Sequence, residues 1–323
     1  MEDIFFYDLE LNRLHTLAPS GSKSGYIMVN TRQEFRGDGS AQINFWSDDL
    51  CNIIRAHPEG VIFRIGKFEG VITDYNFKKD EKTLYGAHLN SLLRKAVIPT
   101  QTITDKDPET ELYKIVTAKI PWLSTAEVKG GFDKLTYTTD TYMRGNEFFA
   151  DVAVNAKIGY RVYADFVQKK YFLELLASED NTLMMSESNL NIYEIEEDYV
   201  GTSTAFGGWY QKEQTDKNGN ATDPVWTYIK SEEKEGIYVT DTVLSATTED
   251  EAKKELAGYA AEKTVSTKTR NIVYGKDYKL GDKLRLQQNG NCTTKLVNAI
   301  EMWWESGHYS EEPELTDTEL KQD

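Results

Sequence analysis

The sequence predicts an α+β protein dominated by β structure, in which two strand-rich regions bracket a helical α+β module. Short apolar runs of period two, broken by Gly- and Pro-containing turns, fill roughly the first 100 residues and return in the last third. Helical periodicity with capping residues concentrates between them. The composition, 39% hydrophobic, 12% aromatic and 28% charged, is that of a chain able to bury its own surface, and 323 residues leave room for more than one core. The expected division is 1–100, 101–200 and 201–312, with an acidic tail over 313–323.

In the first region Ile4-Phe5-Phe6-Tyr7 and Arg13 to Leu17 flank a polar link containing Asn12, a hairpin pattern. Strands are expected at Tyr26 to Val29, Ala41 to Trp46, Val61 to Ile65 and Gly70 to Tyr75, with turns at Gly37-Asp38-Gly39 and Pro58-Glu59-Gly60. Many short strands with frequent turns make a small barrel or a sandwich. The region closes on Leu89 to Ile98, an amphipathic helical stretch stopped by Pro99.

The middle module opens on Asp107-Pro108-Glu109: a capping carboxylate, a proline suited to the first helical position and an acid at the positive end of the dipole. Leu112, Ile115, Val116 and Ile120 then form one stripe. A second helix from about Asn146 to Lys157 stacks Phe148, Val152 and Ala156, with Gly159 as its left-handed stop. Tyr160 to Phe166 and Tyr171 to Leu176 form a hairpin around Gln168-Lys169-Lys170.

In the last region a long hairpin joins Phe206 to Tyr210 with Val225 to Ile229 through a polar tip. The capping box Thr248-Glu249-Asp250-Glu251 starts a helix with Ala252, Leu256, Tyr259 and Ala260 facing inward. Tyr274-Gly275-Lys276-Asp277-Tyr278-Lys279-Leu280-Gly281-Asp282 then leads into a strand carrying Leu284 and Leu286, an Asn289-Gly290 turn of the type I′ kind, and a return strand from Thr294 to Trp303. From Glu311 the acidic end is expected to fray.

Charge and composition exclude several classes. A formal net charge of −16 argues against wrapping a nucleic-acid backbone, although an acidic wall beside passing DNA is compatible with it. Cys51 and Cys292 are far apart, so neither a disulfide scaffold nor a zinc site is expected. Met1-Glu2-Asp3 lacks a basic, apolar leader, and no apolar run approaches the ~18 residues of a membrane span.

No catalytic residue, metal or cofactor is expected. The carboxylates of Glu194, Glu196, Glu197 and Asp198 read as a solvated face. Asp216, Asn218 and Asn220 imitate a calcium loop, but Ala221 stands where glycine is needed and Thr227 where a bidentate Glu belongs. Ser20-Gly21-Ser22-Lys23 has the form of a β-lactamase nucleophile tetrad without its companion motifs. His15, His57, His88 and His308 are scattered, with no metal-ligand spacing.

The aromatic residues carry more. Trp209, Tyr210, Trp226, Tyr228, Trp303 and Trp304 cluster in strands of the last third, and adjacent Trp303 and Trp304 must point to opposite faces of a strand. Trp303, Trp304, Trp209 and Trp226 are the candidate interface residues, since Trp and Tyr are favoured at binding hot spots.

The run Tyr274, Gly275, Lys276, Asp277, Tyr278, followed by Leu280, Gly281 and Asp282, resembles the C-terminal signature of the baseplate hub or tail-associated proteins of long-tailed phages. Gly86 to Ile98 is similar to the run that closes the first β domain in that family, with Ala87 and His88 where Arg and Ser are usual. Arg32 to Phe45 is a looser match, with Ala41 where an aromatic is common. The resemblance implies two tube-type β-barrel domains bracketing the helical module, a trimeric ring that presents six-fold pseudo-symmetry to the tail tube, and no enzymatic activity. The implied partners are a second and third copy, the tail tube or distal tail protein, and other baseplate or tip proteins. DNA would pass through the lumen without specific binding. The implied location is the virion tail, after synthesis in the host cytoplasm, with no membrane insertion by this chain. The rival is a tail protein that binds or hydrolyses cell-surface glycan or peptidoglycan. In related tail proteins such activity usually belongs to a C-terminal extension, and no hydrolase domain is expected in the residues that follow the motif here.

Overall fold

A computed structural model describes residues 2–19, 25–79, 82–186, 188–189, 191–200, 205–215, 221–230, 241–257, 259, 262–288, 290–305 and 308–317. The chain divides into two compact units, Met1–Ile195 with Ser266–Asp323, and Glu196–Val265.

The first unit begins with β1 (Ile4–Tyr7), β2 (Arg13–Leu17), β3 (Tyr26–Glu34) and β4 (Ser40–Phe45). Helix α1 (Asp48–Ala56) follows, then β5 (Ile62–Ile65), β6 (Phe68–Phe77) and β7 (Lys82–His88). Strands β3 and β4 largely alternate buried and partly buried side chains, as a sheet with one more deeply covered face requires. Helix α1 has no counterpart in the sequence reading. Ser47 caps it by accepting from the Leu50 N–H at 3.2 Å, Asp48 and Asp49 fill its first turn, and Leu50, Cys51 and Ile54 are its buried stripe. Leu89–Lys95, read as an α-helical stretch, is a 3-10 helix that ends before β8 (Val97–Ile98).

The middle module runs through β9 (Gln101–Lys106), α2 (Pro108–Lys119), β10 (Leu123–Thr125), β11 (Leu135–Thr139), β12 (Met143–Arg144), α3 (Gly145–Asn155), β13 (Gly159–Asp165) and β14 (Lys170–Leu176). Asp107 caps α2 through the Thr110 N–H at 2.8 Å, and that bond holds its carboxyl below the usual carboxylate range. Leu112 and Val116 of α2 pack with Phe148 and Val152 of α3 against Val162 and Leu173 of the hairpin. The same core includes Ile62 and Val71 of the first strands, so the module is built onto the β region rather than beside it. The left-handed residue after α3 is Lys157, at φ 56°, and not Gly159. Gly159 opens β13, where a Cβ would lie 2.2 Å from the Phe35 ring; the glycine serves close approach instead of helix termination.

Next come β15 (Glu179–Ser186) and β16 (Ile192–Val200), the strand by which the chain enters the second unit. That unit contains β17 (Gly207–Thr215), β18 (Ala221–Lys230), β19 (Asp241–Val243) and α4 (Glu249–Ala257), and β20 (Glu262–Thr269) leads back. The strand order is β18-β17-β19, and Tyr210 and Leu244 pack with Ala252 and Leu256 of α4. The capping box forms: the Glu251 N–H donates to Thr248 Oγ1 at 3.3 Å and the Thr248 N–H donates to Glu251 Oε2 at 3.1 Å.

The chain ends with β21 (Asp282–Gln288), β22 (Asn291–Glu305) and β23 (His308–Asp317). The acidic segment from Glu311 to Asp317 is therefore strand, paired along β22, and not a frayed end. Among the described residues thirteen strands form one sheet with the path β16-β20-β23-β22-β3-β4-β7-β6-β5-β1-β2; β21 also pairs β22, and β15 pairs β21 in parallel. The two strand-rich ends of the chain thus meet in a continuous sheet, with no closed barrel among the described residues. The cause is the length of β22. Its first part pairs β21, from Gln288↔Asn291 to Lys283↔Leu296, and its second pairs β3, from Ala299↔Glu34 to Glu305↔Met28. Arg32 on β3 locks the junction, donating to both carboxylate oxygens of Glu314 on β23 at 2.8 and 3.0 Å and to Glu34 at 2.9 Å. Among the described residues no helix is long and apolar enough to cross a membrane.

Candidate functional site

The signature from Tyr274 to Asp282 lies between β20 and β21 as a compact loop of short-range bonds. The Asp277 N–H donates to the Val273 carbonyl at 2.9 Å, and the Val273 N–H donates back to Asp277 Oδ2 at 2.8 Å. The Gly275 N–H reaches the Tyr278 carbonyl at 2.6 Å and the Lys276 N–H the Val273 carbonyl at 3.1 Å. Gly275 sits at φ 75° and Gly281 at φ 86°, in the left-handed region where a Cβ is penalised. At Gly281 a Cβ would also lie 2.4 Å from the Phe35 ring. Asp282 closes the corner: its Oδ2 accepts from the Lys279 N–H at 3.0 Å and from Asn181 Nδ2 at 2.6 Å, and Asn181 also donates to the Asp277 carbonyl at 3.0 Å.

This loop is anchored on a buried carboxylate. Glu311, on β23, accepts through Oε1 from the Tyr274 N–H and from the Tyr278 hydroxyl, the latter at 3.2 Å, and through Oε2 from the Tyr309 hydroxyl at 2.6 Å. The Tyr274 hydroxyl donates to Gln33 on β3 at 3.2 Å, and Lys67 donates to the Tyr274 carbonyl while its ammonium sits 5.5 Å from the Tyr274 ring centre. Burial pushes the Tyr274 phenol up to about 12, and burial followed by the charge of Glu311 pushes Tyr278 up further. Both tyrosines are therefore neutral donors across the ordinary pH range. Their side chains pack inside the first unit, on β3 and β23. The arrangement pins a loop to two strands and holds no activated nucleophile.

The tryptophans separate. Trp304 is buried and lies 5.1 Å from the Tyr309 ring, while Trp303, on the opposite face of β22, is half-buried between Asn30 and Ser310. Trp209 and Trp226 are exposed on β17 and β18. Glu194 pairs with Lys268 at 2.6 Å and Glu196 is exposed. The side chains of Glu197 and Asp198, together with Ser20 to Lys23, Asp216, Asn218, Asn220 and Asn289, lie outside the described residues. His88 is buried: its Nδ1 accepts from the Asn90 N–H at 3.2 Å, and desolvation lowers it to about 4.

Sequence reading did not find Glu311, Gln33, Lys67 or Asn181 as partners of the signature. Glu311 was hidden in an acidic run, where one buried carboxylate looks like its solvated neighbours. The alternation of buried Glu311, Pro313 and Leu315 on β23 is the signal that could have separated it.

No protein-family model matches the chain, and no curated protein sequence is similar to it. Solved structures do match, along nearly its whole length, and proteins of phage tails are among them. The 43 kDa tail protein of prophage MuSo2 from Shewanella oneidensis aligns at a TM-score of 0.54 and 10% identity, over 99% of this chain and 100% of that one. The prophage tail protein gp18 from Listeria monocytogenes aligns at 0.52 and 13% identity, over 99% and 95%. A chain of the P2 virion baseplate in its activated conformation aligns at 0.50 and 9% identity, over 100% of both. The fold is thus that of phage tail and baseplate proteins, as the resemblance of the signature implied.

Proposed function

We propose that this chain is a non-enzymatic structural protein of a phage or prophage-derived tail, located at the baseplate or tip. In this reading three copies form a ring that adapts the tail tube to the baseplate and lets DNA pass. The observation that supports it is the end-to-end correspondence with tail and baseplate proteins of nearly the same length. Strand-rich segments from both ends of the chain would give each subunit two tube-facing portions, so that three subunits meet a six-fold tube. The formal charge of −16 per chain would keep DNA from adhering to the lumen. Its neighbours would be the tail tube or distal tail protein and other baseplate or tip proteins. The test is size-exclusion chromatography with light scattering, alone and with the tail tube protein, followed by electron microscopy. Rings of three with an open channel are expected. A chain that stays monomeric in both conditions, or that cleaves cell-wall glycan, overturns the reading.

A further inference from the structure

Among the described residues, the three-stranded sheet of the second unit is covered on one face only. Tyr210 and Leu244 turn toward α4 and are buried. Trp209, one residue out of phase with Tyr210, points the other way, and the strand register builds an aromatic surface around it. Trp209 lies opposite Tyr228 on β18 and opposite Val243 on β19, and Trp226 sits two residues before Tyr228 on the same face of β18. The Trp209 and Tyr228 rings are 5.0 Å apart. Gly207 makes this packing possible: a Cβ there would lie 2.0 Å from the Tyr228 hydroxyl, which instead crosses the strand to donate to Asp241 Oδ1 at 2.8 Å. Trp209 is 41% exposed, Trp226 50% and Val243 66%. Single exposed apolar side chains are ordinary; three adjoining a half-buried Tyr228 across three strands form a patch of the kind that marks a binding surface.

The charge of the unit selects the occupant. Residues 196–265 hold 15 Asp and Glu against 7 Lys and Arg, a net −8, which is half the charge of the chain in about a fifth of its length. Such a module repels a second copy of itself, nucleic acid and anionic glycans alike. Indole and phenol faces attract guanidinium and ammonium groups, and carboxylates beside them add to the attraction. Asp241 and Lys230 are the charged residues that register places beside Gly207 on this face, and Asp241 is held there by Tyr228.

We infer that the face formed by Trp209, Trp226, Tyr228 and Val243 is a docking surface for a cationic, apolar protein segment, with Arg or Lys side chains over the indoles. The inference does not rest on ring formation, so a monomer that binds such a segment keeps it and a ring that does not bind loses it. The test uses the full chain, with a short peptide of alternating Arg and Leu as probe and a Glu–Leu peptide as control, followed by calorimetry and Trp fluorescence. Binding of the Arg–Leu peptide that weakens with salt, and falls at least about tenfold in Trp209→Ala/Trp226→Ala, is expected, since hot-spot truncations cost more than about 1 kcal/mol each. Val243→Lys, which leaves both indoles in place, should weaken it in the same direction. Circular dichroism confirms that each variant is folded. Equal affinity in the Trp variant would reduce the attraction to bulk charge and overturn the inference. So would equal binding of the Glu–Leu peptide, or self-association that disappears in the same variant.

Discussion

On β22, Trp304 is enclosed and Trp303 half-covered, because β3 and β23 pair the strand on both sides and Tyr309 closes over the ring. On β17 and β18, Trp209 and Trp226 are left exposed, because among the described residues the three-stranded sheet has one helix, which covers one face. The same contrast holds for tyrosine. Tyr274 and Tyr278 donate to buried acceptors supplied from distant strands, whereas Tyr228 donates to Asp241 at the surface. One region spends its aromatics on internal order and the other presents them, so substitutions of similar size should have very different consequences in the two.

Among the polar groups the largest effect is expected at Glu311. Its carboxylate accepts from two buried tyrosines, Tyr274 and Tyr278, and from the half-exposed Tyr309, and each bond to a charged acceptor contributes about 1.5–3 kcal/mol while an orphaned buried donor costs a similar amount. Glu311→Ala should destabilise the first unit by about 4 kcal/mol in urea titration, with hydrogen exchange of the β23 amides accelerated. Glu311→Gln, which keeps one oxygen acceptor, should lose distinctly less. Equal losses in the two variants would mean that packing, and not the three donors, fixes the loop.

A second difference concerns acid. His88 is buried among the Phe68 ring, Gln33 and Asn90, and is held neutral with a folded value of about 4 against about 6.5 for an ordinary imidazole. The folded value is depressed, so below about 6.5 the unfolded chain binds the proton that the folded chain refuses. Stability is complete above that pH and falls as pH drops toward 4, by about 3 kcal/mol at the limit. His88→Asn, whose side-chain oxygen can still accept from the Asn90 N–H, should flatten the slope between pH 6.5 and 4. An unchanged slope would assign the acid sensitivity to carboxylates.

How much of this was visible in the sequence depends on the range of each interaction. Asp107 and the Thr248–Glu251 box were legible because a cap bonds to a residue three positions away. Gly275 and Gly281 were legible as turn residues for the same reason. Helix α1 was missed although Ser47-Asp48-Asp49 before Leu50 is a serviceable start signal, because a nine-residue helix between strands offers few apolar repeats. Gly159 was misread because close approach to Phe35 and a left-handed stop both favour glycine. The shared sheet was illegible: nothing local distinguishes a β22 that closes its own barrel from one that pairs β3 over its last seven residues. Alternation correctly set Trp303 and Trp304 on opposite faces, but which face acquires a cover is decided by chain far away.

Two glycines with the same backbone separate conformational strain from crowding. Gly281 at φ 86° has the Phe35 ring 2.4 Å from a would-be Cβ, whereas Gly290 at φ 79° has nothing within 4 Å. Gly290→Ala should cost about 1 kcal/mol, the left-handed penalty alone. Gly281→Ala should cost about 2–3 kcal/mol, since Phe35 must also move. Equal costs measured by denaturant midpoint would show that the ring yields freely and that the signature glycine is needed only for its φ.

The smallest stability effect is expected where the binding effect is largest. Trp226 lies on the edge strand of its sheet, half exposed, and is not among the buried residues that make the core on α4. Trp226→Ala should therefore change unfolding stability by less than about 0.5 kcal/mol, the range of surface substitutions away from caps and cores. Trp304→Ala, by contrast, should cost about 3–5 kcal/mol because it empties an enclosed site. If both cost the same, the outer face of the second unit is already covered within the folded chain and its indoles are structural. A large gap between the two leaves the exposed indoles with no structural role to account for them, which is the condition a docking surface requires.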